Sequence, residues 1–273
     1  MAEQNYPRPE PIITKNVKGS IYLIKGGLGA NSGFFIGKNS VVVIDAKMTP
    51  EFGTKAVEEI RKVTSLPISH MIITHSDLDH VNGLTGFPKG MEIISHVNAK
   101  DDMEKAFADP SMKGYGDYLS TKAYDKKLSL DIDGTKIKLI HFGPAHTSGD
   151  TVVFFPAEKV VFGGDIVFIG RDPLVHIQKK GSSVGLINNI GNVLKLDADT
   201  YIFGHCEFVS KEDILKLKSS IEDKRKKIWE MIKSGKELDE VKAELGVKEM
   251  PMPPGRPRFP SLVEVMYNEL KTL

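Results

Sequence analysis

Ile72-Ile73-Thr74-His75-Ser76-Asp77-Leu78-Asp79-His80 decides how this chain is read. The apolar run HMII (70–73) ends on four residues of metal-ligand type: His75, Asp77, Asp79 and His80. Imidazole and carboxylate are donors that borderline and hard divalent cations accept, and cysteine is not required. His75 and Asp77, two positions apart, point the same way in an extended segment. Asp79 and His80 are adjacent and need a turn or helix start to serve a second position.

Three later segments repeat the arrangement, with ligand-type residues at strand ends. Gly143-Pro-Ala-His146-Thr-Ser-Gly-Asp150 follows TKIKLIHF (135–142), Gly163-Gly164-Asp165 follows KVVF, and Gly204-His205 follows TYIF (200–203). Ligands drawn from several strand ends to one edge form a site held by a rigid scaffold. The remaining Val-, Ile- and Phe-rich runs, such as SIYLIKG (20–26), SGFFIGK (32–38) and SVVVIDA (40–46), also read as strands. The pairs 20–26 with 32–38 and 150–156 with 159–165 are spaced as hairpins.

Helical patterns lie between and after these runs. Thr49-Pro50 marks a helix start. Residues 183–195 place Val184, Ile187, Ile190 and Leu194 on one stripe, and Ser210–Asp213 opens a long charged helix to about Lys233. Residues 97–130 interrupt the strand series and read as a helical insertion or lid carrying Met103, Phe107, Tyr115 and Tyr118. The predicted organisation is a domain over 12–248, then a Pro-rich linker and C-terminal helix over 249–273. That helix sets Leu262, Val265, Met266 and Leu270 on a stripe that needs an apolar partner, either the sandwich or another subunit, and self-association as a homodimer is an expectation.

Lys+Arg 37 against Asp+Glu 36 leaves a net charge of +1, which removes the composition argument for nucleic-acid or anionic-membrane partners. The single cysteine, Cys206, excludes an internal disulfide framework and a CxxC zinc ribbon. The opening MAEQNYPRPEP lacks the pattern of a signal peptide, and no uncharged 18-residue apolar stretch occurs. A cytoplasmic globular protein acting on a small molecule, with no nucleic acid and no membrane, is the expectation.

The order H-x-[H/D]-x-D-H, G-P-A-H-T, G-G-D, G-H resembles the metallo-β-lactamase superfamily over roughly residues 12–210. The segment GGLGANSGFFIGKNSVVVIDAKMTP is similar to that superfamily's opening hairpins and the Asp of its D-T-G-like turn, here Asp45. The resemblance implies an α/β fold, a four-layer αβ/βα sandwich, with a dinuclear metal site at one edge. It implies that His75 and His146 ligate a first metal, that Asp79, His80 and His205 ligate a second, and that Asp165 bridges them. Asp77 stands where most members have histidine. Flavodiiron proteins also place a carboxylate there and hold iron.

The function so implied is a metal-dependent hydrolase with two divalent ions, zinc first, and iron or manganese as alternatives because of Asp77. A metal-bound hydroxide would attack an ester, lactone, thioester or β-lactam-type substrate, with Asp79 as the catalytic carboxylate. The alternatives are a non-haem di-iron oxidoreductase and an inactive binding protein on the same scaffold. His176, Lys179 and Tyr115 are the candidates for touching substrate. His70, His96, His141 and Cys206 read as packing or surface residues, and Thr147 and Ser148 as supports of the ligand loop.

Overall fold

A computed structural model describes residues 9–247 and 258–272. Most of the Pro-rich stretch expected as a linker therefore lies outside the described residues. Contacts divide the chain into two compact units, one ending at Leu139 and one beginning at Ile140. The strands belong to two sheets, of seven and six strands, and helices accompany both.

The first unit opens with β1 (Ile13–Lys18), β2 (Ile21–Lys25), β3 (Ser32–Ile36) and β4 (Val41–Ile44), each antiparallel to the one before it. The β2–β3 hairpin expected from the sequence is present. Helix α1 (Pro50–Val63) then leads to β5 (Ile68–Ile72), and the short α2 (Leu78–Val81) leads to β6 (Glu92–His96). Helix α3 (Val97–Phe107) leads to β7 (Lys122–Tyr124). Strands β4 to β7 run parallel to one another, and the strand order of this sheet follows the sequence. Thr49 caps α1 by accepting from the Phe52 amide, and Pro50 sits at the first turn where no amide is needed. The unit's core joins Phe34, Val43, Met71 and Ile73 of the sheet to Ala56 and Ile60 of α1. Burying such a side chain stabilises by about 1.5–3 kcal/mol.

The expected lid over 97–130 is corrected here. Met103, Phe107, Tyr115 and Tyr118 all belong to that same core. Tyr115 donates its hydroxyl to the Asn82 carbonyl (2.6 Å) and Tyr118 to that of Phe87 (2.9 Å). Residues 122–124 are a strand of the sheet. The charged residues that suggested a solvent-facing lid cover the outside of a segment whose aromatic side chains turn inward. The unit closes on β8 (Lys127–Ile132) and the start of β9 (Thr135–Ile140). Asp133 and Gly134 between them both take positive φ (55° and 92°), as a two-residue hairpin turn requires.

The second unit contains β10 (Val152–Phe155), β11 (Val160–Phe162), α4 (Ser183–Val193), β12 (Thr200–Phe203), β13 (Cys206–Val209), α5 (Lys211–Lys233), α6 (Leu238–Glu244) and α7 (Leu262–Lys271). Strand β11 pairs antiparallel with β10 and parallel with β12, and β13 returns antiparallel along β12. Ser210 caps α5 through the Asp213 amide (3.0 Å). In α4 the buried residues are Leu186, Asn189, Ile190 and Val193, while Val184 is exposed. Of the expected stripe, Ile190 is buried and Ile187 and Leu194 pack partly buried against the core, so only Val184 is misplaced.

Helix α7 finds the apolar partner of its stripe within the chain. Leu262, Val265, Met266 and Leu270 are buried in the second unit's own core beside Ile214, Ile221 and Ile228 of α5. The stripe offered for self-association is covered within the chain. Glu269 fastens it: its carboxylate accepts from the Ser183 amide (2.7 Å), from the Ser183 hydroxyl, and from Arg225 (2.9 Å). Among the described residues, no helix is long and apolar enough to cross a membrane.

Candidate functional site

In the first unit, the ligand-type residues follow the end of β5, as its sequence implied. Asp77 is the N-cap of α2, and the turn lets Asp79 and His80 follow His75 on the same strand end. His75 and His80 are buried (1% and 0% exposed), and their ring centroids stand 4.1 Å apart. Asp77 places an oxygen 3.8 Å from Nε2 of His75, and Asp79 places one 3.9 Å from Nε2 of His80. The two carboxylates therefore lie beside the two imidazole Nε2 atoms.

Asp45 organises this cluster. It is buried at the end of β4, takes φ +58°, and accepts three hydrogen bonds. They come from the Thr74 amide (2.8 Å), the Thr74 hydroxyl (2.7 Å) and Nδ1 of His80 (2.8 Å). A carboxylate only accepts, so Nδ1 of His80 carries the proton. In the neutral ring, Nε2 then keeps its electron pair for a cation.

The second unit brings together His146, Asp165 and His205. A ligand atom of Asp165 lies within 4.8 Å of one on His146 and of one on His205. Nε2 of His205 is 3.1 Å from an Asp165 oxygen. His146 is buried, and its Nδ1 donates to the Leu174 carbonyl (2.9 Å), which again leaves Nε2 as the donor atom. Its loop is tied by Asp150, which accepts from the Thr147 amide (2.9 Å) and hydroxyl (2.7 Å). Gly181 and Gly185 let the following loop and α4 close onto the His146 segment. A Cβ on Gly181 would stand 2.3 Å from the His146 carbonyl, and one on Gly185 would stand 1.7 Å from that of Pro144.

The other sequence candidates divide clearly. His176 donates its amide to the His146 carbonyl (2.8 Å) and meets the His146 ring edge-on at 5.7 Å, so it borders that side chain. Phe259 packs on its other side at 4.6 Å. Lys179 contributes its carbonyl, which accepts from the Ser148 amide (2.9 Å). Tyr115 belongs to the core, as described. His96 caps α3 by accepting from the Asn98 amide, and Cys206 accepts from the Ile169 amide (3.2 Å). Burial raises the Cys206 thiol above its ordinary range. The roles of Asp45 and Asp150 were not anticipated. The available signal was an acidic residue directly beyond a strand or ligand loop.

The sequence model described as the metallo-beta-lactamase superfamily matches residues 26–205, more than half of the chain. The alpha subunit of a 2,4-dinitroanisole O-demethylase from Nocardioides sp. (strain JS1661) is 26% identical over 73% of this chain and 59% of its own length. A type 2 metallo-beta-lactamase of Elizabethkingia meningoseptica is 26% identical over 52% of this chain and 53% of its own. The chain thus spans between half and two thirds of the length of these relatives. Among solved structures, the sec-alkylsulfatase Pisa1 from Pseudomonas sp. superposes with a TM-score of 0.70 at 16% identity, over 94% of this chain and 47% of that one. That likeness is one of fold. Superfamily members are mostly metal-dependent hydrolases, generally with two divalent ions. Because the match begins in the first unit's β-hairpins and ends on His205, it takes in every ligand-type residue of both units, and the chain belongs to the metallo-beta-lactamase superfamily.

Proposed function

We propose that this protein is a dinuclear metallohydrolase acting on a small ester, lactone, thioester or β-lactam-type substrate. His75 and His146, joined by Asp77, would hold one divalent cation. Asp79, His80 and His205 would hold the other, and Asp165 would bridge the two. Zinc is the proposed metal. One observation carries this reading: Asp45 and the Leu174 carbonyl fix the protons of His80 and His146 on Nδ1, which presents Nε2 as the donor. Buried imidazoles with two or three carboxylates are a donor set that divalent zinc accepts. When bound, the cations would supply Lewis acidity and a reactive water at neutral pH.

The chain's own groups have separate tasks on this reading. Asp79, with a side chain 24% exposed, can take a proton from an attacking water and deliver it to the leaving group. His205, 31% exposed, forms an open margin where substrate can approach. Asp45 and Asp150 orient ligands and never touch substrate. The names of the sequence relatives span an O-demethylase and a lactamase, so the substrate panel below includes both bond types.

Asp77 favours one second reading, a non-haem iron oxidoreductase. Its oxygen beside Nε2 of His75 offers a harder donor than the usual imidazole. Elemental analysis of protein purified without added metal, joined to a panel of ester, lactone, thioester, β-lactam and aryl methyl ether substrates, tests both. About two zinc per chain with chelator-sensitive hydrolysis supports the first reading. Iron with a redox-dependent optical signature supports the second, and Asp77→His should then shift the preference from iron towards zinc.

A further inference from the structure

Beside α7 the second unit holds a cavity of about 460 Å³, and none of the ligand-type residues is among the described residues that line it. Its walls are the 171–174 loop, the end of α6 and the approach to α7. Each wall is fixed by its own local chemistry. Gly246 takes φ +65° and closes α6 in the left-handed turn that glycine accepts, with the Val247 amide donating to the Lys242 carbonyl (2.9 Å). Directly after Pro260, Ser261 caps α7 by accepting from the Glu264 amide (3.2 Å). Lys224 of α5 is ion-paired with Asp172, which ties the loop to that helix.

The lining has two characters. Pro173, Leu174, Leu245, Val247, Phe259 and Pro260 supply apolar surface, while Arg171, Lys224 and Arg258 supply cations. Lys224 is matched by Asp172, and Arg258 by a two-pronged contact with Glu264 (2.8 and 3.1 Å). Arg171 differs from both. Its guanidinium lies over the Phe168 ring at 4.3 Å, and no carboxylate among the described residues pairs with it. A ring face attracts a guanidinium but leaves its N–H donors unused. Arg171 is thus the surplus cation at the rim of an apolar cavity.

The cavity also has a defined place in the unit. Leu174 of its wall gives its carbonyl to Nδ1 of His146 (2.9 Å), and Phe259 packs on His176 at 4.6 Å. The Phe168 ring that carries Arg171 stacks on His205 at 5.3 Å. The described walls therefore include supports of His146 and His205 and neither imidazole itself. A molecule held there is an accessory ligand, not the reacting group.

We propose that this cavity binds a small amphipathic anion, its apolar body on Leu174, Leu245, Val247 and Phe259 and its carboxylate or sulfate on Arg171. The proposal goes beyond the metallohydrolase reading and does not depend on it. The volume and the mostly apolar lining with a few polar groups are those of a small-molecule site. A guanidinium presents parallel N–H donors to such an anion, and apolar walls shield the pair from water. A neutral ligand of the same shape would leave that charge unmatched.

The test uses octanoate, with octan-1-ol as its uncharged counterpart, titrated calorimetrically into the full chain and followed by amide chemical shifts. Wild type should bind one equivalent of octanoate with a Kd below about 1 mM, moving the signals of residues 171–174, 245–247 and 258–263. Arg171→Gln, at an exposed side chain, should weaken octanoate about fivefold or more and leave octan-1-ol within about twofold. Phe259→Ala should weaken both ligands, since it removes wall and not charge. The proposal is overturned by wild type that shows no saturable octanoate binding, or by shifts that map elsewhere. It is overturned equally if Arg171→Gln leaves octanoate unchanged or weakens both ligands alike, or if Phe259→Ala weakens neither.

Discussion

Asp45→Asn separates hydrogen-bond chemistry from shape at the ligand segment. The amide is nearly isosteric and tolerates φ +58° as well as Asp does, so the backbone of the turn has no reason to move. One oxygen still accepts from the Thr74 amide. The other is replaced by an NH2 group facing two donors, the Thr74 hydroxyl and Nδ1–H of His80. At 2% exposure water cannot take over. Losing two hydrogen bonds to a buried charged acceptor costs about 3 kcal/mol, at about 1.5 kcal/mol each. The ring has one escape, which is to move its proton to Nε2 and accept from the amide. That repairs the hydrogen bond but removes the donor atom from the cation site. Stability falls by about 2–3 kcal/mol if the tautomer holds; metal affinity falls by about 10–100-fold if it switches. Urea unfolding of the apoprotein reads the first, and chelator competition reads the second. A variant matching wild type in both would show that Asp45 does not set the His80 tautomer.

Three further outcomes are expected. Gly185→Ala should destabilise the second unit by more than about 2 kcal/mol in thermal unfolding, because its Cβ would stand 1.7 Å from the Pro144 carbonyl oxygen; Gly90→Ala, with open space but φ +82°, should cost only about 1 kcal/mol. Glu269→Gln should loosen α7 from α4 by about 1–2 kcal/mol, seen as faster amide exchange in residues 262–271, since it weakens the hold on Ser183 and Arg225. Burial lowers the His70 imidazole below its ordinary 6.5, with Glu92 opposing and Lys122 assisting. The unfolded chain therefore binds more protons between the lowered value and 6.5, so this stabilisation is present above about 6.5 and is lost as pH falls through the folded value. His70→Asn should flatten that part of the stability–pH curve, and an unchanged curve would remove the assignment.

The residues of metal-ligand type could be picked out because they sit directly beyond strands whose apolar runs stand out. His75 to His80, His146, Asp165 and His205 needed only local pattern to be named. Their supports were harder to see. Asp45 lies 29 positions before Thr74, and nothing local distinguishes a carboxylate bonded to a histidine from one facing solvent. The α4 stripe missed only at its start, because Val184 and Leu186 are both apolar and two residues apart, so hydropathy alone does not say which of them turns inward. Over 97–130 the helix was legible and is α3, but a lid was suggested because charge was weighed over the aromatic positions that define the segment's inner side.

The bond between Ser183 and Glu269 spans 86 positions and has a consequence for how the second unit comes into being. Translation at about 5–20 residues per second leaves roughly 4–17 s between the synthesis of one partner and the other. Throughout that interval the inner face of α4 and the isoleucines of α5 lack the helix that completes their core. The first unit, whose strands are laid down in the order they occupy in its sheet, meets no comparable delay. Nascent second-unit chains are thus the stage at which apolar surface stands open to holdase chaperones or to other nascent copies. A slow synonymous codon between α6 and α7 would lengthen that exposure and lower soluble yield without changing a single side chain.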